Sequence, residues 1–416
     1  MTPRREVGGV LVEDRWKRAD GTPSSVDGRG KRWRVRWTDP TGAQRSRSFA
    51  RKVDARQAAD ALTTDLTRGA YVDRKAGQTT VGEVYDAWSP LQVHLKPSSR
   101  ARQGELWSRH VKPRWGTTAV SSVTRPAVQA WAVELLGEDD GDGKRDGVSP
   151  ATVKKITGLL RQVMAHAVEL GTVVANPVTG LRLPSAGPSR NLYLTVEQVE
   201  WLADAVADAG GVAGRRWEDG AVLVRLLSYA GLRWGEAVAL RVEDVTLPRR
   251  VSVAGKPAPV GRIDVHHTDV LIGGKRSEGT PKNHRRRTVP VPEQVVSGLR
   301  DLMAGKKKTA RVFTTPGGSP VDGSNFRGRL WRELLEDAGD RLPDGLRVHD
   351  LRHTAASLAI RSGASVKAVQ RMLGHATATM TLDVYGGLFP DDLDDVARRM
   401  TALIEQRDED RDGGAA

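Results

Sequence analysis

Over residues 31–49, KRWRVRWTDPTGAQRSRSF, apolar and polar positions alternate. Trp33, Val35 and Trp37 interleave with Arg34 and Arg36, the period-two pattern of a half-buried strand. Asp39-Pro40-Thr41-Gly42 reads as a turn, and Arg45, Arg47 and Phe49 continue as a second strand. The pattern predicts a hairpin with one apolar and one arginine-rich face. A helix over 52–68, KVDARQAADALTTDLTR, can cover the apolar face. Residues 71–79 read as a linker.

From Thr80 to about Leu183 the spacing changes to the helical period. VGEVYDAW, RPAVQAWAVELL and SPATVKKITGLLRQVMAHAVEL each carry it. Ser149-Pro150 is a start signal, with Ser at the cap and Pro in the first turn. Residues 137–147, GEDDGDGKRDG, form a polar loop. Gly171 ends the long helix, and Asn176-Pro177 begins an exit segment. PSAGPSRN (184–191) is a second linker. The largest block, 192–405, opens on LTVEQVEWLADAVADA, capped at Thr195, with AVALRVEDV (237–245) further on. Residues 251–292 are strand-like in VSVAG, RIDVHHTDV and RRRTVPVP, and helices return from about Asn325. There is no internal repeat. The predicted class is mainly α and multi-domain. It comprises a small N-terminal β-sheet plus helix domain (1–75), an all-α domain (76–184) and a mixed α+β domain with a small antiparallel sheet (191–405). An acidic tail (406–416) follows.

A chain of 416 residues fits about two to four such domains. Its 65 Lys and Arg against 51 Asp and Glu give a net charge of +14 and a pI near 10.2. That balance favours an anionic partner, nucleic acid foremost. Residues 1–75 hold 18 basic and 10 acidic side chains, and 391–416 hold 4 and 9. The basic end reads as a contact surface and the acidic end as a solvated tail. The arginine-bearing ribbon suits a major groove, so Arg34, Arg36, Arg45 and Arg47 are candidate DNA contacts. With no cysteine, disulfides and thiolate metal sites are excluded. No apolar run approaches the ~18 residues of a membrane span, and the N-terminus lacks a signal-peptide core. The expected compartment is the bacterial cytoplasm, at the nucleoid.

The stretch HDLRH (349–353) sets two histidines at i and i+4 with an acid after the first. On a helix that places both imidazoles on one face, the spacing of a zinc-hydrolase signature. Such a site needs a third ligand, for which His375 is available, but Arg352 inside the cluster would repel the cation. The alternative pair is His349 and Arg352, also on one face at i and i+3.

Three other features accompany HDLRH. They are YAGLRWGEAVALRVEDV (229–245), TPKNHRRRTVPVP (280–292), and RMLGHAT followed by Tyr385, ten residues after the LGH histidine. In this order, a GLRxxE turn, a lysine before R-x-V-P, an HxLRH helix, an LGH turn and a tyrosine resemble the tyrosine recombinase family, the phage integrase superfamily. The resemblance spans the C-terminal block. The two upstream domains resemble the integrase branch, with an arm-type and a core-binding DNA-binding domain.

The resemblance implies transfer of a DNA phosphoryl group to the Tyr385 hydroxyl and back. Arg233 and Arg352 would be the cations on the phosphate oxygens, a task suited to the planar, permanently charged guanidinium. Lys282 would protonate the leaving 5′ oxygen. His349 would bind phosphate or act as base, and His375 would donate a hydrogen bond. Glu236 and His353 are expected as structural support. A phosphotyrosine link conserves the bond energy, so neither nucleotide nor metal is implied. Implied partners are double-stranded DNA at core and arm sites, a homotetramer on that DNA, an excisionase and a DNA-bending protein. In the family the C-terminal helix docks on a neighbouring protomer; here Leu388, Leu393, Val396, Met400 and Leu403 give an amphipathic spacing, which fits docking on its own core equally. The competing functions are a Xer-type resolvase, a type IB topoisomerase, a non-catalytic DNA-binding regulator of the same descent, and the zinc hydrolase.

Overall fold

The computed structural model describes residues 9–39, 42–69, 71, 76–138, 146–184, 191–248, 260–280, 286–389, 397–398, 400–402 and 404–405. The chain divides into two compact units, Met1–Pro188 and Ser189–Ala416. The fold is mainly α and multi-domain, with small antiparallel sheets.

The first unit begins with three antiparallel strands in the order β1 (Leu11–Asp14), β2 (Trp33–Thr38), β3 (Gln44–Phe49), followed by α1 (Lys52–Thr67). Helix α1 packs on the sheet, and Val35, Ala55 and Ala59 are buried between them, with Trp33, Trp37 and Phe49 alongside. LVED carries no alternation long enough to read as a strand, so β1 is an addition to the predicted hairpin. It brings Glu13 to Arg34 at 2.7 Å and to Arg36 at 2.9 Å. The β2–β3 register also corrects the expected single arginine face. Val35 lies opposite Arg47 and Trp37 opposite Arg45, while Arg34 and Arg36 face Ser48 and Ser46. Directly opposed residues share a face. Arg45 and Arg47 therefore share the apolar face, and only Arg34 and Arg36 occupy the other. Arg45 pairs with Asp39 at 2.9 Å, and Arg47 lies 5.1 Å from the Phe49 ring centroid.

The remainder of this unit is helical: α2 (Val81–Trp88), α3 (Pro97–Leu106), a π turn (Trp107–Val111), α4 (Lys112–Trp115), α5 (Arg125–Leu136) and α6 (Pro150–Glu169). Thr80 and Glu83 form a capping box on α2, and Ser149 caps α6. The core stacks Tyr85 on Trp107 at 3.8 Å and sets Trp115 edge-on to Trp131, against Ile156, Leu160 and Met164.

The second unit is built around α8 (Glu218–Ala230), nine of whose residues are buried. An apolar residue on every side marks a helix enclosed by neighbours. Those neighbours are α7 (Val196–Ala209), capped by Thr195 and Gln198, then α10 (Glu293–Met303) and α13 (Asp350–Arg361). Between α8 and α10 come α9 (Trp234–Ala239), the three-stranded antiparallel sheet of β4 (Val245–Thr246), β5 (Gly261–Val265) and β8 (Arg287–Val291), and a separate hairpin of β6 (Thr268–Ile272) and β7 (Lys275–Gly279). The expected strand RIDVHHTDV is two strands, broken at His266-His267. VSVAG lies outside the described residues. The unit continues with α11 (Gly323–Asn325), α12 (Arg332–Ala338), α14 (Val366–Leu373) and α15 (Ala378–Tyr385). Of the C-terminal amphipathic positions, Leu388 packs on the α13–α14 cluster and Met400 is exposed; Leu393, Val396 and Leu403 lie outside the described residues.

Candidate active site

Two glycine turns form the frame of the site. Gly231 ends α8 at φ +65°, a left-handed conformation natural only to glycine. A Cβ there would stand 2.8 Å from Leu373 and 3.2 Å from Ala355. This turn sets Arg233 at the start of α9 and Glu236 one turn in. Gly374 ends α14 at φ +68° and delivers His375; a Cβ there would stand 3.0 Å from Arg287 Cδ.

Arg352 joins the two turns. It is 3% exposed and donates to the carbonyls of Gly231 and Leu373, each at 2.5 Å. Burial, then Arg233 and Arg287, lower its pKa to about 9, still well above neutrality. Glu236 supplies the balancing charge. Its carboxylate accepts from Arg233 N at 2.9 Å and Nη1 at 3.0 Å, and from Arg287 Nη1 at 3.1 Å and Nη2 at 2.6 Å. Burial alone would raise the Glu236 pKa, but Arg287, then Arg233, bring it down to about 2. Arg233 and Arg287 thus share one carboxylate, with the buried Arg352 guanidinium close by. The cluster is two charges short of neutral, and an anion completes it.

His349 caps the start of α13 without a side-chain cap bond. Burial, followed by Arg352, lowers its pKa. His375 Nδ1 lies 3.0 Å from Thr381 Oγ1, and its ring is parallel to Tyr385 with centroids 6.4 Å apart. Tyr385 closes α15, is 2% exposed, and packs with Ala356, Ile360, Val369 and Leu373. Burial pushes its hydroxyl up to about 12, against the pull of Arg352. Its Oη lies 2.8 Å from His353 Nδ1. Burial, then His349, hold His353 at about 4, so at neutral pH it is an uncharged imidazole able to accept a proton.

The structure therefore brings Arg233, Glu236, His349, Arg352, His353, His375 and Tyr385 together; Lys282 lies outside the described residues. Sequence reasoning assigned His353 to support, yet among the three imidazoles it is the one bonded to the Tyr385 hydroxyl. Reasoning also passed over Arg287. A signal for it exists: in RTVPV, Arg287 has the parity of the buried Val289 and Val291, which points it inward. His353 offers no such signal, because its contact crosses 32 residues. Among the described residues, the HDLRH side chains are not part of a group of three possible metal ligands. Asp350 is fully buried and accepts three bonds from Arg347, and Tyr385 occupies His353 Nδ1.

Residues 193–389 match the model of the phage integrase family. Over 309 residues the chain is 29% identical to an integrase of Mycobacterium phage D29, spanning 72% of this chain and 73% of that one. It is equally 29% identical, over 304 residues, to the tyrosine recombinase XerD of Mycobacterium tuberculosis, spanning 68% and 84%. Residues 193–389 thus form a phage integrase family domain, and the protein is a site-specific recombinase. Its fold is also that of the Tn1549 transposon integrase solved with a circular intermediate DNA, with a TM-score of 0.60, 20% identity, and 78% and 99% of the two chains covered. A lambda integrase tetramer bound to a Holliday junction superposes with a TM-score of 0.50 at 16% identity, covering 83% and 94%. All the residues clustered around Arg352 fall inside the matched segment of the recombinase. Among its described residues, no helix is long and apolar enough to cross a membrane.

Proposed function

We propose that this recombinase is an integrase that cuts and rejoins duplex DNA through a 3′-phosphotyrosine on Tyr385, inserting and excising a mobile element. The observation that carries the reading is the Tyr385 hydroxyl 2.8 Å from a neutral imidazole, beside a guanidinium cluster that Glu236 only partly neutralises. In the first step Tyr385 Oη attacks phosphorus and gives its proton to His353. The bond from phosphorus to the 5′ oxygen breaks, and Lys282 protonates that oxygen. Arg233 and Arg352 stabilise the charge that grows on the non-bridging oxygens. Arg287 and Glu236 hold those arginines in place, and His349 and His375 donate hydrogen bonds to the phosphate. The partner strand's 5′ hydroxyl then reverses the chemistry. No step requires a nucleotide or metal cofactor.

Tyr385 is enclosed, so α15 has to shift for Oη to reach phosphate. Only Thr381 and Tyr385 of that helix are buried. An element anchored by so few side chains opens locally at low cost.

Residues 1–75 serve as the arm-type DNA-binding domain, 76–184 as the core-binding domain and 191–405 as the catalytic domain, with four protomers acting on a Holliday junction. The tetrameric lambda neighbour supports that assembly. The sheet-plus-helix domain ahead of the helical one favours the integrase reading over a Xer-type resolvase. An excisionase and a DNA-bending protein complete the assembly, within the bacterial nucleoid. The test is a nicked suicide duplex spanning the element's own junction. The wild-type chain forms a covalent adduct on a denaturing gel, and Tyr385→Phe binds the duplex without forming one. An adduct that persists in Tyr385→Phe sinks the assignment.

A further inference from the structure

A second constellation lies outside the recombination chemistry. Asp244, His266 and His267 bring one carboxylate oxygen and two imidazole nitrogens within 4.8 Å of one another. Asp244 ends the short turn before β4 and is 3% exposed. Its Oδ2 accepts from the Arg241 backbone at 2.8 Å. Its Oδ1 lies 2.9 Å from His266 Nε2, yet this buried oxygen receives no hydrogen bond. A carboxylate oxygen left without a donor in the interior is costly. The two atoms meet at ion-pair distance without hydrogen-bond geometry, an approach that a cation held by both would satisfy.

The surroundings suit the same ion. His267 Nδ1 meets Glu278 Oε1 of β7 at 3.0 Å, and Glu278 Oε2 accepts from Arg241 at 2.9 Å. A carboxylate behind an imidazole fixes its tautomer and leaves Nε2 free, the usual outer partner of a metal-bound histidine. Two imidazoles and a carboxylate without thiolate suit zinc or a neighbouring first-row divalent ion.

We propose that Asp244, His266 and His267 bind a divalent transition-metal ion, oriented by Glu278, that clamps the root of the β6–β7 hairpin to the β4–β5–β8 sheet. The two histidines are the whole connector between β5 and β6. The hairpin sits against the turn that carries Arg233: a Cβ on Gly235 would stand 2.5 Å from the Asp269 carbonyl. Three residues after β7 the sequence reaches Lys282. The ion is structural, takes no part in strand transfer, and stands apart from the recombinase reading.

The test uses the untagged full-length chain, stripped with chelator and titrated with Zn²⁺ against a chromophoric competitor. One tight site per chain is expected. His266→Gln with His267→Gln abolishes it. Glu278→Gln weakens it about 10–100-fold, and this variant covers the case of a double variant that does not fold. His349→Gln retains it, which separates the site from HDLRH. Folding of each variant is checked by far-UV circular dichroism. Absence of stoichiometric zinc in the folded wild-type chain, or undiminished binding in the folded double variant, overturns the proposal and leaves an Asp244–His266 ion pair.

Discussion

Glu236→Gln isolates the electrostatic frame of the site. The change keeps the shape of the side chain and removes the carboxylate shared by Arg233 and Arg287; the Arg287 side chain is 9% exposed. Its magnitude follows from the depressed pKa. Glu236 titrates near 2 in the fold against an ordinary 4.5, and each pKa unit corresponds to 1.36 kcal/mol, so the ionised form contributes about 3 kcal/mol at neutral pH. That agrees with the ~3–5 kcal/mol lost on breaking a buried ion pair. Because the folded pKa is the lower one, this contribution is present above pH 4.5 and lost as pH falls towards 2. Glutamine mimics the protonated acid, so the gap between wild type and variant is about 3 kcal/mol at pH 7 and roughly half that at pH 3. Urea titration read by pulse proteolysis resolves the two units of the chain and measures the gap for Ser189–Ala416. Equal stability at pH 7, or a gap that does not change between pH 7 and pH 3, refutes the reasoning.

Arg287→Lys loses the paired bonds to Glu236 and the bond to the Met372 carbonyl. At about 1.5–3 kcal/mol for charged hydrogen bonds, single-turnover cleavage slows roughly 10–100-fold; an unchanged rate removes Arg287 from the frame. His353→Gln removes the proton acceptor, and cleavage drops by about 10²–10⁴-fold. Wild-type cleavage declines as pH falls towards 4, where His353 and His375 both take up protons, and the decline is weaker in the variant; an unchanged decline assigns the proton elsewhere. For the arm domain, Arg34→Ala with Arg36→Ala lowers the salt slope of arm-site binding by about two, and Arg45→Ala with Arg47→Ala by less than one. Equal effects contradict docking through the face opposite α1.

The helices with local signals were legible in the sequence. Thr80, Ser149 and Thr195 cap where the hydroxyl and following residues place them. Residues 97–115 were not, because α3 shows little apolar periodicity, with Leu106 its only buried residue. Strand β7, KRSEG, is likewise polar throughout and is recognised only through its pairing with β6. Parity decided the arginine ribbon: odd residues of β2 oppose odd residues of β3, which splits four arginines that one strand at a time suggested belong together. At the site, residues in short motifs stood out as linear patterns. Arg287 and His353 took their places through contacts that cross 51 and 32 residues, and linear spacing carries no information about such contacts.

The central claim is that Tyr385 carries the DNA. Trapping the wild-type chain on a suicide duplex, digesting with nuclease and protease, and sequencing the nucleotide-bearing peptide by tandem mass spectrometry tests it directly. The account predicts a nucleotide joined through its 3′ phosphate to Tyr385. A nucleotide on any other residue, or joined through its 5′ phosphate, contradicts it.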